Sequence, residues 1–396
     1  MKQKQRVTFP VARRMIRRPA QFRSAGSIAG RLQTRSSFRI VTVEDTYMKK
    51  IVCGMTLLSL MIAGAVAAQG TSSSRDDQAM IVTASNTANN KLMIYNTVGT
   101  LLEQLPTGGA GGVSGNAGGI AQDHARLAVV NFGSGNVSIF DKDPAHTGLR
   151  YEKLVPALTN PVSVAFGNDH LYILTASYIE SHRIDRHGVE SAADGEAKLV
   201  IGDGSAAQLG TLQGQLVISE KSNAIETVNL DGQGAVIGST GLVANIPANV
   251  NAPFGLATRG NDAYVTIAHA NEISLVRNNA VLTITGSGTQ SAPCWVTLDG
   301  PFLFSSNSPS KSVSRYVVYG EKIIQDAAVV ASFNGDPTDI TYRSDLAAVV
   351  DANGSVSHVS IFNVDEDGNF TLKGLATINS ATTNGIAIMR ADHDSY

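Results

Sequence analysis

Short apolar runs broken by Gly, Asn, Asp and Ser recur along the chain, and none lengthens into a 3.6-residue periodicity. The clearest unit is Asn116–Asp143, NAGGIAQDHARLAVVNFGSGNVSIFDKD. It predicts a small apolar strand over Gly118–Ala121, an apolar strand over Leu127–Asn131, a Gly-Ser-Gly turn and an alternating strand over Val137–Phe140. The pattern returns six more times. Ile120, Val164, Leu209, Leu256, Val296, Ile340 and Ile386 each stand three residues after a Pro or small-residue start, at intervals of 44, 45, 47, 40, 44 and 46 residues. Each is followed by Ala, Gly or Thr, as expected where seven strands converge on one axis. Tyr95, Phe140, Ile184, Val228, Val276, Tyr316 and Phe362 keep step as a second ladder.

A period in the forties with several short strands per repeat predicts an all-β, seven-bladed β-propeller of four-stranded antiparallel blades. The blades are expected near residues 117–158, 161–203, 206–249, 253–289, 293–333 and 337–378. The first strand pair, Met80–Thr83 and Leu92–Tyr95, lacks an innermost strand, whereas Asn384–Ile388 has no partners after it. The C-terminal strand is therefore expected to join the N-terminal blade, closing the ring and removing an open sheet edge.

Charge separates the N-terminus from the propeller at 78–390. Of the 31 Lys+Arg and 33 Asp+Glu, 13 and 2 lie in residues 1–68, which leaves 18 against 31, a net charge of −13, for residues 69–396. Met48-Lys-Lys, the apolar Ile51–Val66 and the exit Ala65-Val66-Ala67-Ala68 have the three regions of a secretory signal peptide, with cleavage near Ala67–Gln69. A retained membrane anchor is the alternative, since this stretch is at the short end of a spanning helix. Residues 1–47, Arg- and Ser-rich, read as a start assigned too early or as an organellar presequence; 69–77 form a polar linker and 391–396 a tail. The expectation is an exported, periplasmic or extracellular monomer, with no membrane insertion after processing. Its acidic surface disfavours nucleic acid and anionic membranes. Cys294 is then the one cysteine left, so no internal disulfide forms.

Units such as LAVVNFGSGNVSIFDKD and AAVVDANGSVSHVSIFNVDEDGNFTL resemble those of the lactonase-like seven-bladed propellers, the group of 6-phosphogluconolactonase-type and 3-carboxymuconate-cyclase-type proteins. The resemblance runs from about Asp77 to Arg390. It implies the fold strongly and lactone-processing activity weakly, because what is shared is the blade.

The loops gathered at one mouth of the axial channel form the default ligand site. Asn131, Phe254, Trp295, Asp339 and Asp351 are its candidate ligand-binding residues. Glu220 and His269, in adjacent blades, are the candidate general base and partner for attack of water on a lactone carbonyl, against a reading of both as ordinary polar loop residues. Trp295 is either a stacking platform or a space filler, and Cys294 is a small buried residue rather than a nucleophile. Asp365–Asn369 lacks the later Glu of a calcium loop, so no metal is expected. Gly108–Gly112 precedes no helix and is a flexible connection rather than a nucleotide site; no cofactor is expected. Asn136, Asn353 and Asn369 match a glycosylation sequon that blade turns generate by chance. Two functions follow: a non-catalytic binding or protein-interaction module for a small polar molecule or another protein, and a lactone-processing enzyme. A mostly neutral mouth favours the first.

Overall fold

The computed structural model describes residues 79–142, 148–244 and 252–390. The predicted signal peptide and the segments flanking it lie outside them. Among the described residues, no helix is long and apolar enough to cross a membrane. The strands form seven antiparallel sheets, six in the chain order of the repeat and one assembled from both ends of the chain. In the first blade, Asn384–Met389 is the innermost strand and pairs with Met80–Ala84, with Ile81 opposite Ile388 and Thr83 opposite Ile386. The Thr83 hydroxyl donates to the Gly385 carbonyl at 2.6 Å, fixing that register. The ring is closed by the last strand, as the orphan strands predict.

The two ladders in the sequence mark the interfaces between blades. There are seven buried apolar clusters, and each holds one of the seven inner-strand aliphatics: Ile386, Leu209, Ile120, Ile340, Val164, Leu256 and Val296. Each cluster also holds or packs against one member of the second ladder, from Tyr95 to Phe362. A period-two strand has two apolar faces when it is sandwiched between sheets, which is why the runs read as continuously apolar. The small residue after each aliphatic has a steric cause. At Gly210 an added Cβ would stand 2.5 Å from Leu256 Cδ1 and 2.7 Å from Thr258 Cγ2 of the next blade.

The third blade departs from the pattern. Its turn at Asp185–Gly188 forms, but the outer strand is split into Gly188–Val189 and Gly195–Lys198. The intervening excursion is tied down by Asp194, whose carboxylate accepts from Ser181 Oγ at 2.7 Å and lies 2.8 Å from His170 Nε2. The acidic loop at Asp365 is a turn closed on itself: Asp365 Oδ1 accepts the amides of Asp367 and Asn369 at 3.0 and 2.8 Å, and the Asn369 amide holds this carboxyl below its usual range. Burial pushes the Cys294 thiol up to about 11, so it stays protonated at neutral pH.

Candidate functional site

In six of the seven blades the innermost strand begins with a bulge, where the register against the second strand slips near the blade-start residue. One residue per blade stands at this point against the neighbouring blade near the axis, as Ser163, Gln208, Trp295 or Asp339 in four blades and as bare backbone at Gly385, Gly119 and Gly255 in the other three. Three of them bind the backbone of the following blade. Ser163 Oγ accepts from the Leu209 amide at 3.3 Å, and Gln208 Oε1 accepts from the Leu256 amide at 2.7 Å. Asp339 accepts from Ile340 at 2.8 Å and from the amide of Gly385 across the closing seam. Gly255 leaves room for its neighbour, since a Cβ there would meet the Cys294 carbonyl oxygen at 2.4 Å and Trp295 Cα at 2.8 Å.

Inside this ring lies a cavity of about 250 Å³, lined by Gln208, Trp295, Asp339, Thr258, Thr297 and Thr341 among others. No lysine or arginine lines it. Asp339 is 7% exposed, and burial raises its carboxyl to about 7 against the opposing pull of the two amides. An uncharged Asp339 is therefore well populated at neutral pH.

The segment between the first and second blades crosses the mouth. Asn116 Nδ2 donates to the Ala206 and Ala207 carbonyls at 3.0 and 3.2 Å, and the Asn116 carbonyl accepts the indole N–H of Trp295 at 3.2 Å. Lys221 Nζ reaches the Gly115 carbonyl and Asn116 Oδ1 at 3.3 and 3.4 Å and lies 5.9 Å from the centre of the Phe254 ring. Phe254 in turn stands edge-to-face on Trp295, ring centres 5.2 Å apart. The Gly108–Gly112 run, expected to be a flexible connection, is pinned: Gly111 donates to Thr87, and Gly112 to Asn86 Oδ1. Its glycines admit this close approach, since a Cβ on Gly111 would meet the Asn86 backbone carbon at 2.4 Å.

The predicted site residues therefore fall in different places. Trp295 and Asp339 line the axial cavity, and Phe254 braces Trp295 from the mouth. Asn131 lies between the first two blades, where its side chain accepts from Asn90 and Thr107 and donates to Asn136 and Ser138. Asp351 is the equivalent residue of the seventh blade and faces the sixth, 2.7 Å from His358 Nδ1. Glu220 is fully buried. Its Oε2 accepts from Ser205 Oγ at 2.9 Å, its Oε1 has no partner, and burial raises its carboxyl to about 7. His269 is exposed in the single 3-10 turn Ala268–Ala270, and no hydrogen bond joins it to Glu220. Asn116, Lys221 and Ser205 have no local signal in the sequence. Asn116 sits in a glycine-rich run 179 residues from the indole it binds.

No family model matches the chain, and no curated protein matches it either. Solved structures do. A functionally unknown protein from Desulfotomaculum acetoxidans superposes with a TM-score of 0.61 at 12% identity, covering 79% of this chain and 99% of the other. The periplasmic gluconolactonase of Pseudomonas aeruginosa gives 0.58 at 12%, covering 79% and 100%. A candidate 6-phosphogluconolactonase from Bacteroides uniformis gives 0.57 at 14%, covering 78% and 99%. At these identities the likeness speaks for architecture alone. The architecture shared with these structures is the seven-bladed β-propeller.

Proposed function

We propose that this chain is an exported binding propeller whose axial cavity takes a small, uncharged, hydrogen-bonding molecule beneath the segment held by Asn116. The observation that carries this reading is the cavity lining: an amide, three threonine hydroxyls, an indole face and one carboxyl near neutrality, with no cation to meet a phosphate or carboxylate. A volume of about 250 Å³ suits a molecule smaller than the usual pocket ligand. The separation of Glu220 from His269 also favours binding over catalysis by that pair. The signal-peptide pattern supports export, and one structural neighbour is named as periplasmic.

Lactone processing is the second reading. It draws on two buried carboxyls held near 7, Glu220 and Asp339, suited to proton transfer at neutral pH, and on neighbours named as lactonases. One calorimetric and kinetic panel separates the readings, using neutral sugars, glucono-lactone and a phosphorylated sugar lactone. The binding reading expects saturable binding of a neutral member, weakened at least about tenfold by Trp295→Ala, without turnover. Lactone hydrolysis abolished by Asp339→Asn, or by Glu220→Gln with His269→Ala, would replace it with the enzymatic one.

A further inference from the structure

In several blades the second and third strands carry polar positions that face the preceding blade and seal the interface; the fifth has Ile267 in place of one of them, and its Ser274 hydroxyl has no partner. In the second blade, Asn131 Nδ2 donates to Asn136 Oδ1 at 2.9 Å and to Ser138 Oγ at 2.6 Å, and Ser138 passes its proton to the Thr107 carbonyl at 2.6 Å. In the sixth, Asn307 Nδ2 donates to Ser312 and Ser314 at 3.1 and 2.8 Å, and Ser312 donates to Gln290 Oε1, in the segment that follows the fifth blade, at 2.6 Å. In the third and fourth, Glu180 and Glu226 accept the amides of Leu158 and Val200 from the previous blade.

The seventh blade carries Asp351, His358 and Ser360 at these positions, and its interface stays open. Asp351 pairs with His358 across the ladder, and Ser360 is two residues further on the same face. Asp351 is engaged with His358, and no hydrogen bond joins it to Ser360, whereas Asn131 and Asn307 bridge to the matching serines of the second and sixth blades. The Ser360 hydroxyl has no hydrogen bond to any described residue. A cavity of about 400 Å³ opens there, bounded by Ser332, Phe333, Phe370, Leu372 and Leu375 beside the polar trio. Its aromatic wall is built: Phe362 lies 6.1 Å from Phe333 at 86° and 5.2 Å from Phe370 at 40°.

We infer that this side cavity between the sixth and seventh blades is a binding site for an aromatic hydroxy compound of the phenol class. The donor and acceptor inventory selects that class. Asp351 Oδ1, 2.7 Å from His358 Nδ1, accepts the hydrogen bond of that nitrogen, and in this tautomer of the neutral ring Nε2 is the acceptor. Nε2 then asks for an O–H donor, and the Ser360 hydroxyl supplies a donor for the same oxygen. A phenolic hydroxyl meets both, with its ring against Phe333 and Phe370. A carboxylate would bring its charge toward Asp351 and offer no proton to Nε2. A metal ion would find one imidazole, and no group of three ligating side chains occurs among the described residues. The trio is not a hydrolytic triad, since no hydrogen bond joins His358 to Ser360.

The test is binding of 4-ethylphenol to the full chain, by calorimetry and by ligand-detected NMR, beside its methyl ether and 4-ethylbenzoate. The expected result is saturable binding of the phenol, at least about tenfold weaker for the ether and the benzoate. Ser360→Ala and, separately, His358→Gln each weaken the phenol at least about tenfold. Thermal unfolding of each variant verifies that the fold persists. Equal binding of phenol and ether overturns the inference. So does binding retained in folded Ser360→Ala and His358→Gln, and so does the absence of saturable binding.

Discussion

Two seams of the ring do the same job with different chemistry. Between the fourth and fifth blades, a neutral amide oxygen of Gln208 accepts the Leu256 N–H. Between the seventh and first, a carboxyl oxygen of Asp339 accepts the Gly385 N–H, and burial holds that carboxyl up at about 7. The fourth and fifth blades follow one another along the chain. The seventh meets a first blade whose innermost strand is the chain's C-terminal strand. The comparison teaches that the bulge position is a repeated latch, and that the latch at the non-covalent closure carries the titratable group.

The strongest way to break this comparison is to remove the closing strand. A chain ending at Ser380 loses Asn384–Met389, every residue of which is buried. Its expected melting temperature falls by more than about 10 °C, if it folds at all. An unchanged melting temperature would show that closure contributes nothing.

Asp339→Asn sharpens it next. The native pKa of about 7 lies above the aspartate value of 3.8, so the folded state binds more protons than the unfolded one between those limits. The Asp339 contribution is most favourable below about pH 4 and is lost as pH rises through 7. The variant is therefore expected to lie close to the wild type near pH 4 and to exceed it by on the order of 4 kcal/mol at pH 8. Denaturant midpoints at the two pH values measure this difference. A difference independent of pH would mean that the carboxyl does not titrate in the seam.

Gln208→Leu carries the same question to the other seam. It leaves the Leu256 amide unpaired and is expected to cost about 1–2 kcal/mol, equally at pH 5 and pH 8. Ser163→Ala, at the seam between the third and fourth blades, is the mildest. Its bond to the Leu209 amide is long, at 3.3 Å, and its loss is expected to cost about 1 kcal/mol or less by the same measurement.

The site was legible in part. Trp295 stands out because the same position holds Gly or Ser in four other blades, and a repeat makes its exceptions visible. Glu220 and His269 belong to adjacent blades, as counting repeats implies, but Glu220 ends a strand and His269 sits in a 3-10 turn. The direction of a side chain depends on burial, which sequence spacing does not encode. Glu220 turns inward to Ser205 whereas His269 is exposed. The cover over the mouth was missed for a different reason. A glycine-rich run advertises freedom of backbone, and only the partners at Ala206, Lys221 and Trp295 convert that freedom into one fixed path.

By itself, the sequence determined the number of blades, the order of their strands and the way the ring closes. These follow from a period-two apolar pattern repeated seven times with one strand missing at the front and one left over at the back. Only the tertiary structure decided which polar groups act as latches, which are spent in sealed interfaces and where the axial and side cavities lie. Those outcomes depend on residues from different repeats meeting at hydrogen-bond distance, and desolvation then sets the charge of the carboxyls caught between them.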